Sequence, residues 1–325
     1  MRAGWNRATA LIEMSNKEVE ALLHPLLPDI TVTSVEPTSG GLANTNLKIR
    51  IAGDAEPLLL RFCMRDPSSV TKEWRLLELV TTNVPVPFLT CFSKDNPING
   101  HPYILMQWVE GVRLETVVDV LNPSEIADLG QSLGATLAGI HSFHFEHQGF
   151  FDENLNVVNP LEMGGKGLLS YVRECLSNPV TEQRIDEQLA KRIIVFLESE
   201  NSLLDQWVGS PCLTHCDFNG SNILVNKTAD LWKVAAVLDW EFAISATPFF
   251  DFGNLLRAPV GALPGIEEAV EKGYLNAGGE LPKDWRRMSK LTDLTAWMEF
   301  LTRESAGPQL ISDARAQIER TIDEW

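Results

Sequence analysis

In the first third of the chain, apolar residues gather in short runs, some alternating with polar positions and one apolar almost throughout. Beyond about Glu110 the spacing lengthens to three and four. Alternation over 30–38, a fully apolar run over 58–62 and further short runs over 46–51, 88–93 and 103–108 predict strands, with turns at 39–41, 52–57 and 95–100. Two helices accompany them. One covers 16–27, opened by Ser15 or Asn16 and closed by Pro28. The other covers 70–82, where Trp74, Leu77 and Val80 or Thr81 share a face, and Val84-Pro85-Val86-Pro87 ends it. Antiparallel strands with one inserted helix make a small α+β unit.

The rest of the chain reads as helices over 123–141, 171–176, 186–207, 266–276 and 283–303, with a last one from Ser312. A hairpin interrupts them, with strands at 223–226 and 232–238 around a polar turn at 227–230. No internal repeat is visible. The expected fold class is α+β, with a β-rich lobe over 1–108, a short hinge near 107–111 and a mainly helical lobe over 109–325.

Length and charge narrow the possibilities. The 325 residues suffice for one large bilobal domain or two modest ones. A formal net charge of -17 argues against nucleic acid or an anionic membrane as the main partner. Cys63, Cys91, Cys175, Cys212 and Cys216 are odd in number and lack a C-x-x-C pair, which suits reduced thiols in the cytoplasm. Residues 1–14 contain no signal-peptide core, and no run approaches the roughly 20 apolar residues of a membrane-spanning helix. The expected setting is therefore cytoplasmic, with no membrane partner.

The chemistry concentrates in one segment. His215-Cys216-Asp217-Phe218-Asn219-Gly220-Ser221-Asn222 reads H-x-D-x-x-x-x-N, and Asp239 follows the returning strand of the hairpin. Strands of similar length, at about 3.3 Å per residue, bring Asp239 back beside Asn222. An amide oxygen beside a carboxylate makes a hard-oxygen site suited to Mg²⁺ carrying nucleotide phosphates. Asp217, across a tight loop containing Gly220, faces the same space and can receive an acceptor hydroxyl. Upstream, Ser39-Gly40-Gly41-Leu42-Ala43-Asn44 joins two strands, and glycines there let backbone N–H groups approach phosphate oxygens. Arg61 stands inside the apolar strand Leu58-Leu59-Leu60-Arg61-Phe62, where a buried charge requires a partner.

These segments resemble the aminoglycoside phosphotransferase family, small-molecule kinases that share the bilobal protein-kinase-like fold. The resemblance covers about 33–257. It implies an ATP-dependent transfer of the γ-phosphate to a small-molecule hydroxyl, with GTP as an alternative donor and Mg²⁺ as cofactor. It assigns Asp217 as the catalytic residue and Asn222 and Asp239 as the metal ligands. Gly40, Gly41, Asn44, Arg61, Glu73, Gln107 and Val109 would bind the nucleotide. Glu73 matches the family's carboxylate partner of the strand cation, and Arg61 stands where Lys is usual. Gln107 and Val109 would act through their backbones at the hinge, and His215 would brace the catalytic loop. Asp251-Phe252-Gly253 spells a protein-kinase metal motif but lies too far past the hairpin, so Asp251 is expected to cap a helix or anchor the catalytic loop. The family's acceptors include antibiotics, choline, homoserine and sugars, and the pocket acids and arginines do not choose among them. A catalytically idle nucleotide-binding relative is the other reading.

Overall fold

The computed structural model describes residues 11–38, 44–53 and 56–325. Gly40 and Gly41 lie outside the described residues.

A five-stranded antiparallel sheet forms the N-terminal part. Its strands are β1 (Val32–Pro37), β2 (Thr45–Ile51), β3 (Leu58–Phe62), β4 (Leu89–Ser93) and β5 (Tyr103–Gln107), in the order β1-β2-β3-β5-β4. Alternation gives each strand two faces. Leu47, Ile49, Leu60, Phe62, Tyr103 and Leu105 pack on one side with Val19, Leu22 and Leu23 of α1 (Asn16–Leu23). Of the two candidate openings, Ser15 is the cap, and it pairs reciprocally with Glu18. The other side carries Ile104 and Met106, packed with Val70 of α2 (Val70–Val80) and flanked by Trp74 stacked on Phe92 at 4.8 Å. Arg61 is paired in register with Asn46 and Ile104, on the central strand of the sheet rather than at an edge.

Past the sheet come β6 (Val112–Arg113), α3 (Pro123–His141), β7 (Gly149–Phe151), β8 (Val157–Pro160), α4 (Gly164–Leu176), α5 (Pro179–Glu182) and α6 (Glu187–Glu200). They are followed by β9 (Cys212–Thr214), β10 (Ile223–Thr228), β11 (Leu231–Val237), β12 (Ile244–Ala246), α7 (Phe249–Leu255), α8 (Ile266–Asn276), α9 (Trp285–Thr302) and α10 (Pro308–Asp323). The helix α3 starts at a capping box of Asn122 and Glu125 with Pro123 in its first turn. It buries Leu129, Leu133, Leu137 and Ile140 completely, each contributing about 1.5–3 kcal/mol relative to exposure. It meets α8 with the backbones almost touching, since a Cβ on Gly134 would lie 2.0 Å from the Val270 carbonyl oxygen.

Two small sheets, β11-β10-β6 and β8-β7-β12-β9, complete the architecture. The second was not expected, because its three- and four-residue strands are too short to show a period. The hairpin is tighter than the sequence suggested. Lys227 and Thr228 pair with Trp232 and Leu231, and the reversal uses only Ala229 and Asp230, at φ 49° and 65°. Two left-handed residues suit a hairpin turn, but neither is the glycine or asparagine that announces one. The helix α4 starts seven residues before the expected 171, because Gly164, Gly165 and Gly167 weaken the helical signal. Gly165 is needed there, since a Cβ would lie 2.4 Å from the Asn201 carbonyl oxygen. The expected helix over 186–207 ends at Glu200 and continues as a 3-10 turn, Asn201–Gln206. Among the described residues no helix is long and apolar enough to cross a membrane.

Candidate active site

The strands β9 and β10 and the hairpin return deliver the polar residues to one place, all from loops at strand ends. His215 follows β9, Asn222 immediately precedes β10, and Asp239 lies two residues past β11. The Leu238 N–H donates to the Asn222 carbonyl at 2.8 Å, which fixes the neighbouring loops side by side as the hairpin argument required.

The loop carrying Asp217 is over-determined. Cys216 adopts φ 61°, a left-handed conformation costly for a residue with a Cβ. It is held there by Asp251, whose two carboxylate oxygens accept from the His215 and Cys216 N–H groups, both at 2.8 Å. Asp251 is fully buried and lies 3.1 Å from Nε2 of His141, whose Nδ1 lies 3.1 Å from the Tyr274 hydroxyl. Asp251 is thus the anchor of the loop that carries Asp217. It is not a helix cap, because α7 begins before it, at Phe249. The Asp217 N–H donates to Nδ1 of His215 at 3.2 Å, so the ring proton sits on Nε2 and donates to the Leu238 carbonyl at 3.0 Å. His215 therefore ties the Asp217 loop to the strand end before Asp239.

The Asp217 carboxylate is oriented by two amides. Asn219 Nδ2 donates to Oδ1 at 2.5 Å and Asn222 Nδ2 donates to Oδ2 at 2.7 Å. Asn222 spends its donors on Asp217, which leaves Oδ1 on the other side, where among the described residues it takes a 3.3 Å contact from the Ser221 hydroxyl. Asp239, itself left-handed at φ 69°, receives Arg61 Nη2 at 2.6 Å, and the same nitrogen lies 3.2 Å from Glu73. Burial alone would pull the Arg61 guanidinium down, but Glu73 and Asp239 outweigh it and hold it well above its ordinary value. Burial likewise pushes Glu73 up, against the pull of Arg61. Arg61 Nε is buried with no hydrogen-bond partner among the described residues.

Asn46, Arg61, Cys216, Asp217, Asn222 and Asp239 line one cavity of ≈ 1250 Å³, which continues between α4, α7 and α9. Its donor set fits two guests. Two hard oxygens from Asn222 and Asp239 suit Mg²⁺, which commonly takes one or two protein oxygens and fills its shell with water and phosphate. The unpartnered Arg61 Nε suits a phosphate oxygen.

Residues 34–291 match the profile of the phosphotransferase enzyme family. The chain belongs to that family. It is a small-molecule kinase, with the protein-kinase-like bilobal fold. Solved structures agree on the fold. The GDP complex of aminoglycoside 2'-phosphotransferase-IIIa matches with a TM-score of 0.73 at 18% identity, over 96% of this chain and 99% of that one. The gentamicin complex of APH(2")-IIa matches at 0.66 and 15%, over 96% and 98%. A putative fructosamine-3-kinase from Thermobifida fusca matches at 0.57 and 17%, over 95% and 99%. Among curated proteins no sequence matches significantly.

Within this phosphotransferase, Asp217, Asn222, Asp239, Arg61 and Glu73 come together. Of the other expected nucleotide residues that are described, Asn44, Gln107 and Val109 do not line the cavity. Asn44 is buried, accepts the Met64 N–H at 2.9 Å and points its amide nitrogen to Glu241 at 3.5 Å. The Gln107 N–H donates to the Phe88 carbonyl at 2.8 Å, and Val109 follows in the link after β5. Two contributors were overlooked. Asn219 shares the loop with Asp217, and its spacing of two is the signature of a side chain folding back on its own turn. Glu241 stands two residues past Asp239, and nothing in its own segment marks it. The 3-10 turn Trp240–Phe242 swings it into the cavity wall, where Arg65 lies 3.6 Å away and Lys72 Nζ donates to its carbonyl at 2.8 Å. Burial, reinforced by the neighbouring Asp239 carboxylate, pushes the Glu241 carboxyl up to about 7.

Proposed function

We propose that this kinase moves the γ-phosphate of ATP to a hydroxyl of a small molecule, with Asp217 as the group that receives the acceptor. The observation that carries the reading is the convergence of Asp217, Asn222, Asp239 and Arg61 on one cavity. Asp217 orients the hydroxyl and takes its proton late in the transfer, since a loose transition state demands positioning more than a strong base. Asn219 and Asn222 aim that carboxylate. Asn222 and Asp239 would hold Mg²⁺, which when bound neutralises charge on the phosphate oxygens. Arg61, braced by Glu73, would settle the α- and β-phosphates. Gly40, Gly41, Asn44 and the backbones of Gln107 and Val109 complete the proposed nucleotide site. Solved relatives in complex with GDP, with ADP, with streptomycin and ATP, and with kanamycin support both a nucleotide and a hydroxylated acceptor. A cytoplasmic setting is part of the proposal, supported by five unpaired cysteines.

The test is ADP release from Mg·ATP across aminoglycosides, amino alcohols, sugars and macrolides. Acceptor-dependent turnover should fall by about three orders of magnitude in Asp217→Asn while nucleotide affinity moves by less than about threefold. An unchanged kcat in that variant would remove Asp217 from its role.

A further inference from the structure

The far half of the cavity, away from Asp217, carries its own information about the acceptor. Its walls are built by α4, α7, α9 and the start of α10, and its apolar surface comes from Leu168, Tyr171, Phe249, Phe250, Phe300 and Leu310. Three carboxylates also reach it, and each already has a cation of its own. Arg257 grips Asp293 through Nε at 3.0 Å and Nη2 at 2.5 Å, and Trp297 Nε1 donates to the other oxygen at 2.6 Å. Arg303 grips Glu299 with two parallel bonds of 2.8 and 2.6 Å. Glu162 receives Lys166 at 2.6 Å. Both guanidiniums are also fixed against aromatic faces, Arg257 4.5 Å over Trp297 and Arg303 4.6 Å over Phe300. Such forked, stacked pairs hold geometry as well as charge.

The chain as a whole carries -17, yet each of the three acids on these walls is already paired, Asp293 and Glu299 with guanidiniums that line the cavity themselves and Glu162 with Lys166 outside it. A polycationic acceptor is recognised by carboxylates free to meet its ammonium groups. Here it would have to break forked pairs and leave guanidiniums orphaned beside it. Aromatic and aliphatic surface around a few fixed polar groups instead suits an apolar body.

We infer that the acceptor is an uncharged amphipathic alcohol, whose apolar body lies on Leu168, Tyr171 and Phe300 while its hydroxyl reaches Asp217. This rests on the phosphotransfer reading above and narrows it. The distinction from the aminoglycoside complexes among the solved relatives lies in charge.

The experiment uses the full chain loaded with Mg²⁺ and a non-hydrolysable ATP analogue, titrated with n-octyl β-glucoside below its micellar concentration and with kanamycin. Octyl glucoside should bind at least about tenfold more tightly, with a Kd that moves less than about twofold between about 20 and 300 mM NaCl. Phe300→Ala should weaken it about tenfold, and Arg303→Gln, which frees Glu299, should strengthen kanamycin about fivefold. Tighter binding of kanamycin, weakening more than about tenfold with salt, overturns the inference, as does binding of neither probe. Nucleotide titration of the same sample separates the two readings. Loss of analogue binding removes the kinase reading, whereas retained binding with a preference for kanamycin removes only the acceptor class.

Discussion

Replacing Asp251 by Asn tests whether this buried carboxylate holds the catalytic loop or serves as the metal ligand its Asp-Phe-Gly context suggests. Its two oxygens accept the His215 and Cys216 N–H groups, and Oδ2 also lies against Nε2 of His141. An Asn can keep its oxygen at the Oδ2 position and retain two of those contacts. Its NH₂ then faces the Cys216 N–H, donor against donor. The change loses a charge-assisted hydrogen bond and leaves a buried N–H unsatisfied, together about 2–4 kcal/mol. A chain of this length unfolds with an entropy near 0.7 kcal/mol/K, so Tm should fall by roughly 3–6 °C. The N–H that loses its partner belongs to left-handed Cys216, one residue before Asp217, so the loop should relax and kcat should fall by about tenfold or more. Thermal unfolding, turnover and Mg²⁺ titration on the same preparation decide the matter. A Tm within about 1 °C of the parent, combined with a large rise in the Mg²⁺ needed for half-maximal rate, would refute the anchoring argument and restore the metal-ligand reading.

Three further outcomes follow from the same structure. Glu241 has its carboxyl raised to about 7, so the folded protein holds a proton that the unfolded chain, at about 4.5, releases. Stability is therefore lost between those values as pH rises, and in metal-free, nucleotide-free protein Glu241→Gln should add on the order of 1–3 kcal/mol at pH 8, shrinking toward pH 5, by denaturant unfolding. Burial pushes the Cys63 thiol up to about 12 and Cys175 to about 11, so iodoacetamide at pH 8 should leave both unmodified until the protein is denatured, as mass spectrometry would count. Gly134→Ala drives a methyl into the α8 backbone and should cost at least about 1–3 kcal/mol, read as a lower urea midpoint.

What the sequence made legible were features with a local cause. The strand patterns in 46–51 and 58–62, the opening of the first helix at Ser15 or Asn16, and the length of the hairpin arms are each set by a few neighbouring residues. The convergence of Asn222 with Asp239 followed from arm length alone. What escaped depends on distant partners. The helix over Gly164–Leu176 tolerates three glycines because Asp205, Asn201 and Glu162 press against Gly164, Gly165 and Gly167 in turn, and nothing in its own residues announces that. Glu241 escaped because a single 3-10 turn decides whether it faces solvent or the cavity. Asp251 was recognisable as a decoy by its distance from the hairpin, but its two backbone partners became visible only once β9 and α7 were in place.

The Arg61–Asp239 contact has a consequence for how the kinase loads. Arg61 comes from the five-stranded sheet and Asp239 from the far side of the cleft, so the resting protein is latched across the cleft by a pair of opposite charges. On the proposed roles, loading amounts to an exchange of counter-ions, in which Arg61 trades a carboxylate for phosphate while Asp239 trades a guanidinium for a divalent cation. Nucleotide alone would strand Asp239 without a cation beside the phosphates, while metal alone would leave Arg61 with Glu73 as its remaining carboxylate. Metal and nucleotide should therefore be strongly reluctant guests separately and cooperative ones together, so that the free-nucleotide pool is largely invisible to the enzyme and the metal complex is what it senses.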